Sequence, residues 1–182
     1  MSDILARMLA IHSSPAICGI KASNLVSFDI NEFRDIEEEI NELNKLYGPN
    51  ICFKIMSCKN GRVLVLVYKK KVMDKTLSFK SNEMFLANLG YNTESTDSMI
   101  ECLKERLNQR EGFPHEIGIF LGYDLNDTIE FLHGNKNCLY VGYWKVYSNV
   151  DEKKALFNRY NRCRDCLVKL VDKGYPLENF LR

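Results

Sequence analysis

No run in this sequence is apolar for the ~20 residues that a membrane-spanning helix requires. The longest apolar runs, such as Val63–Tyr68, are far shorter. Charge of one sign is also lacking. The net charge is +1, so no long-range field draws the chain to nucleic acid or to an anionic membrane surface. The strongest basic run, Lys69, Lys70 and Lys71, reads as a solvated strand end rather than a phosphate contact. Internal repeats, low-complexity tracts and Pro/Gly-rich linkers are missing, which makes one continuous domain over 1–182 the expectation. The opening residues do not follow the pattern of a signal peptide, because Asp3 stands in the first turn and Arg7 interrupts Ile4, Leu5, Met8 and Leu9.

The composition, 46% hydrophobic and 27% charged, is that of an ordinary globular protein. A chain of this length buries about 70% of its unfolded surface, so it folds without metal or cross-link. Cysteine is plentiful, with seven residues. The number is odd, the chain is not short, and Cys18, Cys52, Cys102, Cys138 and Cys163 sit in apolar patterns. They read as reduced, core-filling thiols, which implies a reducing, cytoplasmic setting.

Hydrophobic period and end signals predict the elements. Ser2 caps a short amphipathic helix over 2–12, and Pro15 and Gly19 break the chain after it. Leu25, Val26 and Phe28 mark a brief strand. Asp29 and Glu32 form a capping-box pattern at the head of a helix from Ile30 to Tyr47, with Phe33, Ile36, Ile40, Leu43 and Tyr47 on one stripe. Gly48-Pro49 ends it. Further helices are expected around Val72–Phe79, after Ser81, after Thr96 or Asp97, and after Asp124. His115–Leu121 is read as helix. The last long helix runs from Asp151 to Lys173 on the stripe Leu156, Tyr160, Cys163, Leu167 and Leu170. Gly174 closes it, and a short tail follows.

Between the first helices lies a hairpin. Ile51–Cys58 and Val63–Lys69 are β-rich, and Asn60-Gly61 supplies two residues suited to the positive φ of a type I′ turn. That turn sets Lys59 opposite Arg62, Ser57 opposite Leu64 and Ile55 opposite Leu66. It also puts Phe53, Ile55, Leu66 and Tyr68 on one face, with Met56, Val63, Val65 and Val67 on the other. Val63–Tyr68, apolar on both sides, is expected to be a central strand. Cys138–Tyr147 is expected to add a further strand. The class is therefore α+β: a small, mostly antiparallel sheet of about four strands in a βαββαβ-like core, packed with helices and a long C-terminal helix.

Three stretches, Gly19–Leu25, Phe113–Tyr123 and Gly142–Tyr147, occur in an order and spacing that resembles the uncharacterised bacterial family called domain of unknown function 3793. One departure is visible: Asp124 stands where the family pattern has proline, and aspartate also suits a helix start. The resemblance implies a small stand-alone cytosolic protein and carries no established activity.

Familiar catalytic frames are absent. There is no Gly-x-Gly-x-x-Gly, no P-loop and no Gly-x-Ser-x-Gly elbow. His115-Glu116 is the sharpest polar pair, but the position four after His115 is Ile119, so the His-Glu-x-x-His zinc motif is not formed. Adjacent side chains also point apart on a regular element. Cys163-Arg164-Asp165-Cys166 has redox spacing, yet it lies mid-helix, where no dipole lowers the thiol pKa, and its reading is core packing. Tyr140, Tyr143, Trp144 and Tyr147 could offer a stacking platform, although aromatic residues on strands more often simply pack. Lys21 and Lys145 could neutralise an anion beside it, although such lysines more often reach for water.

The candidate ligand-binding residues are therefore Lys21, His115, Glu116, Tyr123, Tyr143, Trp144 and Lys145. No catalytic residue, metal or cofactor is assigned. The expected function is non-catalytic binding or regulation, with a small molecule or protein partner and with neither nucleic acid nor membrane. The alternative is an enzyme or metal-dependent protein in which His115 acts as base or ligand, Glu116 orients it and Lys145 or Lys21 holds an anion.

Overall fold

A computed structural model describes residues 1–48, 50–109 and 112–181. By packing, the chain divides into two compact units, Met1–Met73 with Arg162–Arg182, and Asp74–Asn161. No helix among the described residues is long and apolar enough to cross a membrane.

The first unit is an antiparallel three-stranded sheet with helices. Helix α1 (Asp3–Ile17) starts where Ser2 Oγ accepts from Leu5 N at 3.3 Å. It continues past the expected break and keeps Pro15 inside its last turn, and the Pro15 carbonyl then accepts from both Ile20 N and Lys21 N. Strand β1 (Ser23–Asp29) follows. Asp29 does not cap the next helix. Its carboxylate and carbonyl hold a local turn through Asn31, Glu32 and Phe33, and α2 (Ile36–Tyr47) begins only at Ile36. Two side-chain bonds to Asn31 satisfy Asp29 locally, and that competes with a helix start. The expected stop at Gly48-Pro49 is met at Gly48, and Pro49 lies outside the described residues.

Strands β2 (Ile51–Lys59) and β3 (Arg62–Lys69) form the expected hairpin, with Asn60 at φ 52° and Gly61 at φ 71°. The order β1-β3-β2 makes β3 the central strand. Lys59 opposes Arg62 and Ser57 opposes Leu64, as the turn dictates. Beyond that point the expectation fails, because a bulge between Ile55 and Ser57 sets Ile55 opposite Val65 and Phe53 opposite Val67. One extra residue inverts the facing of everything beyond it. Phe53 and Ile55 therefore share a face with Val63, Val65 and Val67, and Leu66 and Tyr68 lie on the reverse. On the first face these valines join Val26, Phe28, Leu5, Leu9, Ile36, Ile40 and Leu167 in one core. Tail residues Leu177 and Leu181 complete it, from a short 3-10 turn over Leu177–Phe180.

The second unit is mainly helical. It takes in the end of α3 (Lys70–Leu77), then α4 (Lys80–Asn88), α5 (Thr96–Gln109), α6 (Ile117–Phe120) and α7 (Leu125–Leu132). It also takes in the first half of α8 (Val150–Asp172). Ser95 heads α5, accepting from Ser98 N at 3.0 Å. Asp124 caps α7 as expected, accepting from Asn126 N at 2.9 Å. The expected strand over Cys138–Tyr147 is broken. It forms β4 (Tyr140–Val141) and β5 (Lys145–Val146), an antiparallel pair outside the three-stranded sheet. The turn between them is set by packing: a Cβ on Gly142 would come within 2.3 Å of the Phe157 ring, and Trp144 meets the same ring edge-on at 4.6 Å. The α+β class holds, with three strands in the main sheet and two in a separate hairpin.

Candidate functional site

In the second unit, α6, α7 and the β4–β5 hairpin enclose a cavity of about 380 Å³. That is within the usual range for small-molecule sites. Five of the seven candidates, His115, Tyr123, Tyr143, Trp144 and Lys145, line it, together with Phe113, Leu121, Phe131, Asp127 and Thr128.

One wall is a stack. Tyr123 lies on Trp144 at 4.5 Å between ring centroids and 23° between planes. Trp144 is held from behind, because its Nε1 donates to Asp127 Oδ2 at 2.8 Å while Tyr147 N donates to Asp127 Oδ1 at 2.8 Å. Asp127 is 1% exposed, and each of its carboxylate oxygens accepts one of these bonds inside the wall. Tyr143 donates to Asn161 Oδ1 at 3.1 Å and meets Tyr160 edge-on. Burial pushes the Tyr160 phenol up to about 12 and also raises Tyr123, so both remain neutral hydroxyls near neutral pH. Burial acts to raise Asp124, but the hydrogen bond and charge of Lys153, together with the backbone N–H groups of Asp127 and Asn126, outweigh it and bring Asp124 below the ordinary carboxylate range. This pair, at 2.7 Å, pins the head of α7 to α8.

Two exposed polar side chains border the cavity, His115 and Lys145. His115 is exposed, with its ring edge-on to Phe131 at 4.9 Å. Lys145 is exposed too, and its Nζ sits 5.3 Å from the centroid of that same Phe131 ring. Phe131 thus carries both the imidazole and the ammonium.

The two remaining candidates lie elsewhere. Glu116, 5% exposed, is not part of the cavity lining; its Oε1 accepts from Tyr91 Oη and from Arg106 Nη1, each at 3.1 Å. Arg106 also covers the Tyr91 ring at 4.2 Å and donates to the Leu89 carbonyl. Lys21 belongs to the first unit, where it is 4% exposed and its Nζ donates to the Ser23 carbonyl. Among the described residues, no group of three or more His, Cys, Asp or Glu is placed to hold a metal.

Burial lowers the Lys21 ammonium from 10.5 to about 7. Between those values the unfolded chain binds the proton and the folded chain does not, so stability rises with pH across that window. Relative to Lys21→Met, the wild type should gain about 2 kcal/mol between pH 7 and pH 9. Urea midpoints of the two proteins under reducing conditions test this, and parallel pH profiles would show that Lys21 titrates normally.

Sequence reasoning missed Asp127, Thr128, Phe131 and Phe113. An aspartate in the first turn of a helix is expected to face water, yet Asp127 and Thr128 are buried while Leu132 is exposed. The available signal was Trp144, since a buried indole N–H requires an acceptor.

A family model described as a protein of unknown function, DUF3793, matches residues 9–181. The chain belongs to this family. No curated protein and no solved structure matches the chain. For this DUF3793 protein, the cavity supplies the chemistry from which a function is read.

Proposed function

We propose that this DUF3793 protein is a cytosolic, non-catalytic binding protein that holds a small, flat, mostly apolar molecule bearing one anionic group. The observation that carries this reading is the composition of the cavity. Its walls are aromatic, both oxygens of its buried carboxylate accept from Trp144 and Tyr147, and the exposed polar groups beside it are His115 and Lys145. A planar ring fits against such walls, and an anion is the partner that a lysine and an imidazole favour. The enzyme alternative draws less support, because the Glu116 Oε1 meant to orient His115 is instead held by Arg106 and Tyr91.

Trp144 is the only tryptophan, so its fluorescence reports on this cavity alone. Screening aromatic carboxylates should raise the melting temperature, since a ligand bound only by the folded form must do so, and should change the Trp144 emission with the same concentration dependence. Lys145→Glu, an exposed change that spares the fold, should weaken the best binder about tenfold or more, equivalent to about 1.4 kcal/mol. Aromatic carboxylates that neither shift melting nor alter the emission at millimolar concentration would overturn the reading.

A further inference from the structure

Two of the seven cysteines come together in the first unit, although they are 145 positions apart in the chain. Cys18 forms the C-cap of α1, and its backbone N donates to the Ser14 carbonyl at 2.8 Å. Cys163, on α8, donates its Sγ–H to that same Ser14 oxygen at 3.4 Å. A single carbonyl oxygen thus gathers both residues, and the two thiols lie close enough to act on each other. Cys18 is exposed and Cys163 is half-buried. The Lys69 side chain runs alongside, with its Cδ 3.5 Å from where a Cβ on Gly19 would stand.

We propose that Cys18 and Cys163 form a reactive dithiol site, in which Cys18 is the attacking sulfur and Cys163 the resolving one, and that its substrate class is small-molecule disulfides. The environment divides the roles. Interaction with the Cys163 side chain brings the Cys18 thiol down to about 7, against the opposing effect of burial and with help from the Lys69 charge. The same interaction, together with burial and the neighbouring sulfurs Cys18 and Cys166, raises Cys163. One sulfur is therefore available as thiolate near neutral pH while the other keeps its proton, which is the division that thiol–disulfide exchange uses.

The step balances. The Cys18 thiolate attacks one sulfur of the disulfide RSSR, giving Cys18–S–S–R and releasing RS⁻. Cys163 then passes its proton to the released RS⁻, giving RSH, and attacks the Cys18 sulfur, which expels the second RS⁻. Two protein thiols are oxidised to one disulfide, and one small-molecule disulfide is reduced to two thiols. Cys166, three residues after Cys163 and exposed, is assigned no part in the exchange.

The test uses oxidised glutathione on the purified full chain, followed by alkylation and peptide mapping. The expected result is a loss of two hydrogens, a Cys18–Cys163 cross-link and alkylation of the other five cysteines. In Cys163→Ser the reaction should stop at a glutathione adduct on Cys18. Because the cross-link is read in the wild-type protein, the test does not depend on any variant folding. Absence of that cross-link, predominance of another cysteine pair, or an adduct in Cys163→Ser on a cysteine other than Cys18 would each overturn the proposal.

Discussion

Asp127→Asn should lower the unfolding free energy by about 2–4 kcal/mol and loosen the aromatic wall before the protein unfolds. Both oxygens of Asp127 face donors, Trp144 Nε1 and Tyr147 N, each at 2.8 Å. Asparagine keeps one acceptor and replaces the other with an NH2 group, so one donor is left facing a donor in a site that is 1% exposed. Hydrogen bonds to a buried charge are worth roughly 1.5–3 kcal/mol each, and a stranded donor adds its desolvation penalty. Urea unfolding followed by circular dichroism measures the loss. Trp144 emission in the folded baseline should shift to the red, because the indole no longer has a fixed partner. An unchanged midpoint with unchanged emission would mean that other groups hold Trp144. The substitution also separates the wall from the mouth of the cavity. Lys145→Glu acts only on an anionic ligand, whereas Asp127→Asn should weaken any flat ligand that uses the Tyr123–Trp144 stack.

What could be read from the sequence follows how local the determining physics is. Asn60-Gly61 specifies its turn through its own backbone preferences, and the central position of Val63–Tyr68 follows from apolar side chains on both faces. The bulge beyond Ile55 depends on pairing with β3, and its only trace is two adjacent apolar residues, Ile55 and Met56, where alternation calls for one. Asp29 carries a helix-start signal, but Asn31 diverts it into a turn. The segment Gly112–Tyr147 could be singled out because aromatic and ionisable residues are dense there, and five of the candidate residues taken from it do line one cavity. Its strand reading failed because Gly142 and Trp144 answer to Phe157, a ring on the helix that follows. Lys21 and Glu116 looked like ligand-binding residues because charge is normally exposed. Nothing adjacent in the chain reveals that one is buried beside Ser23 or that the other pairs with Arg106, ten residues earlier.

Glu116→Ala should be more disruptive still, destabilising the second unit by about 3–5 kcal/mol, because it leaves the Arg106 guanidinium charged and unpaired in a poorly solvated site. The two side chains are only 13% and 7% exposed, and Arg106 lies over Tyr91, so the pair is screened little by salt. Glu116→Gln should cost less, about 1–2 kcal/mol, since the amide oxygen still accepts from Tyr91 or Arg106 and only the charge is lost. The decisive measurement is a double-mutant cycle with Arg106→Met. The double variant should be more stable than the sum of the single losses implies, by about 1–3 kcal/mol, because removing both charges relieves the penalty that each single change creates. Raising the salt concentration from 0.1 to 0.5 M should leave this coupling nearly intact. A coupling near zero would mean that Tyr91 alone satisfies Glu116 and that the Leu89 carbonyl is enough for Arg106, leaving the ion pair without energetic consequence.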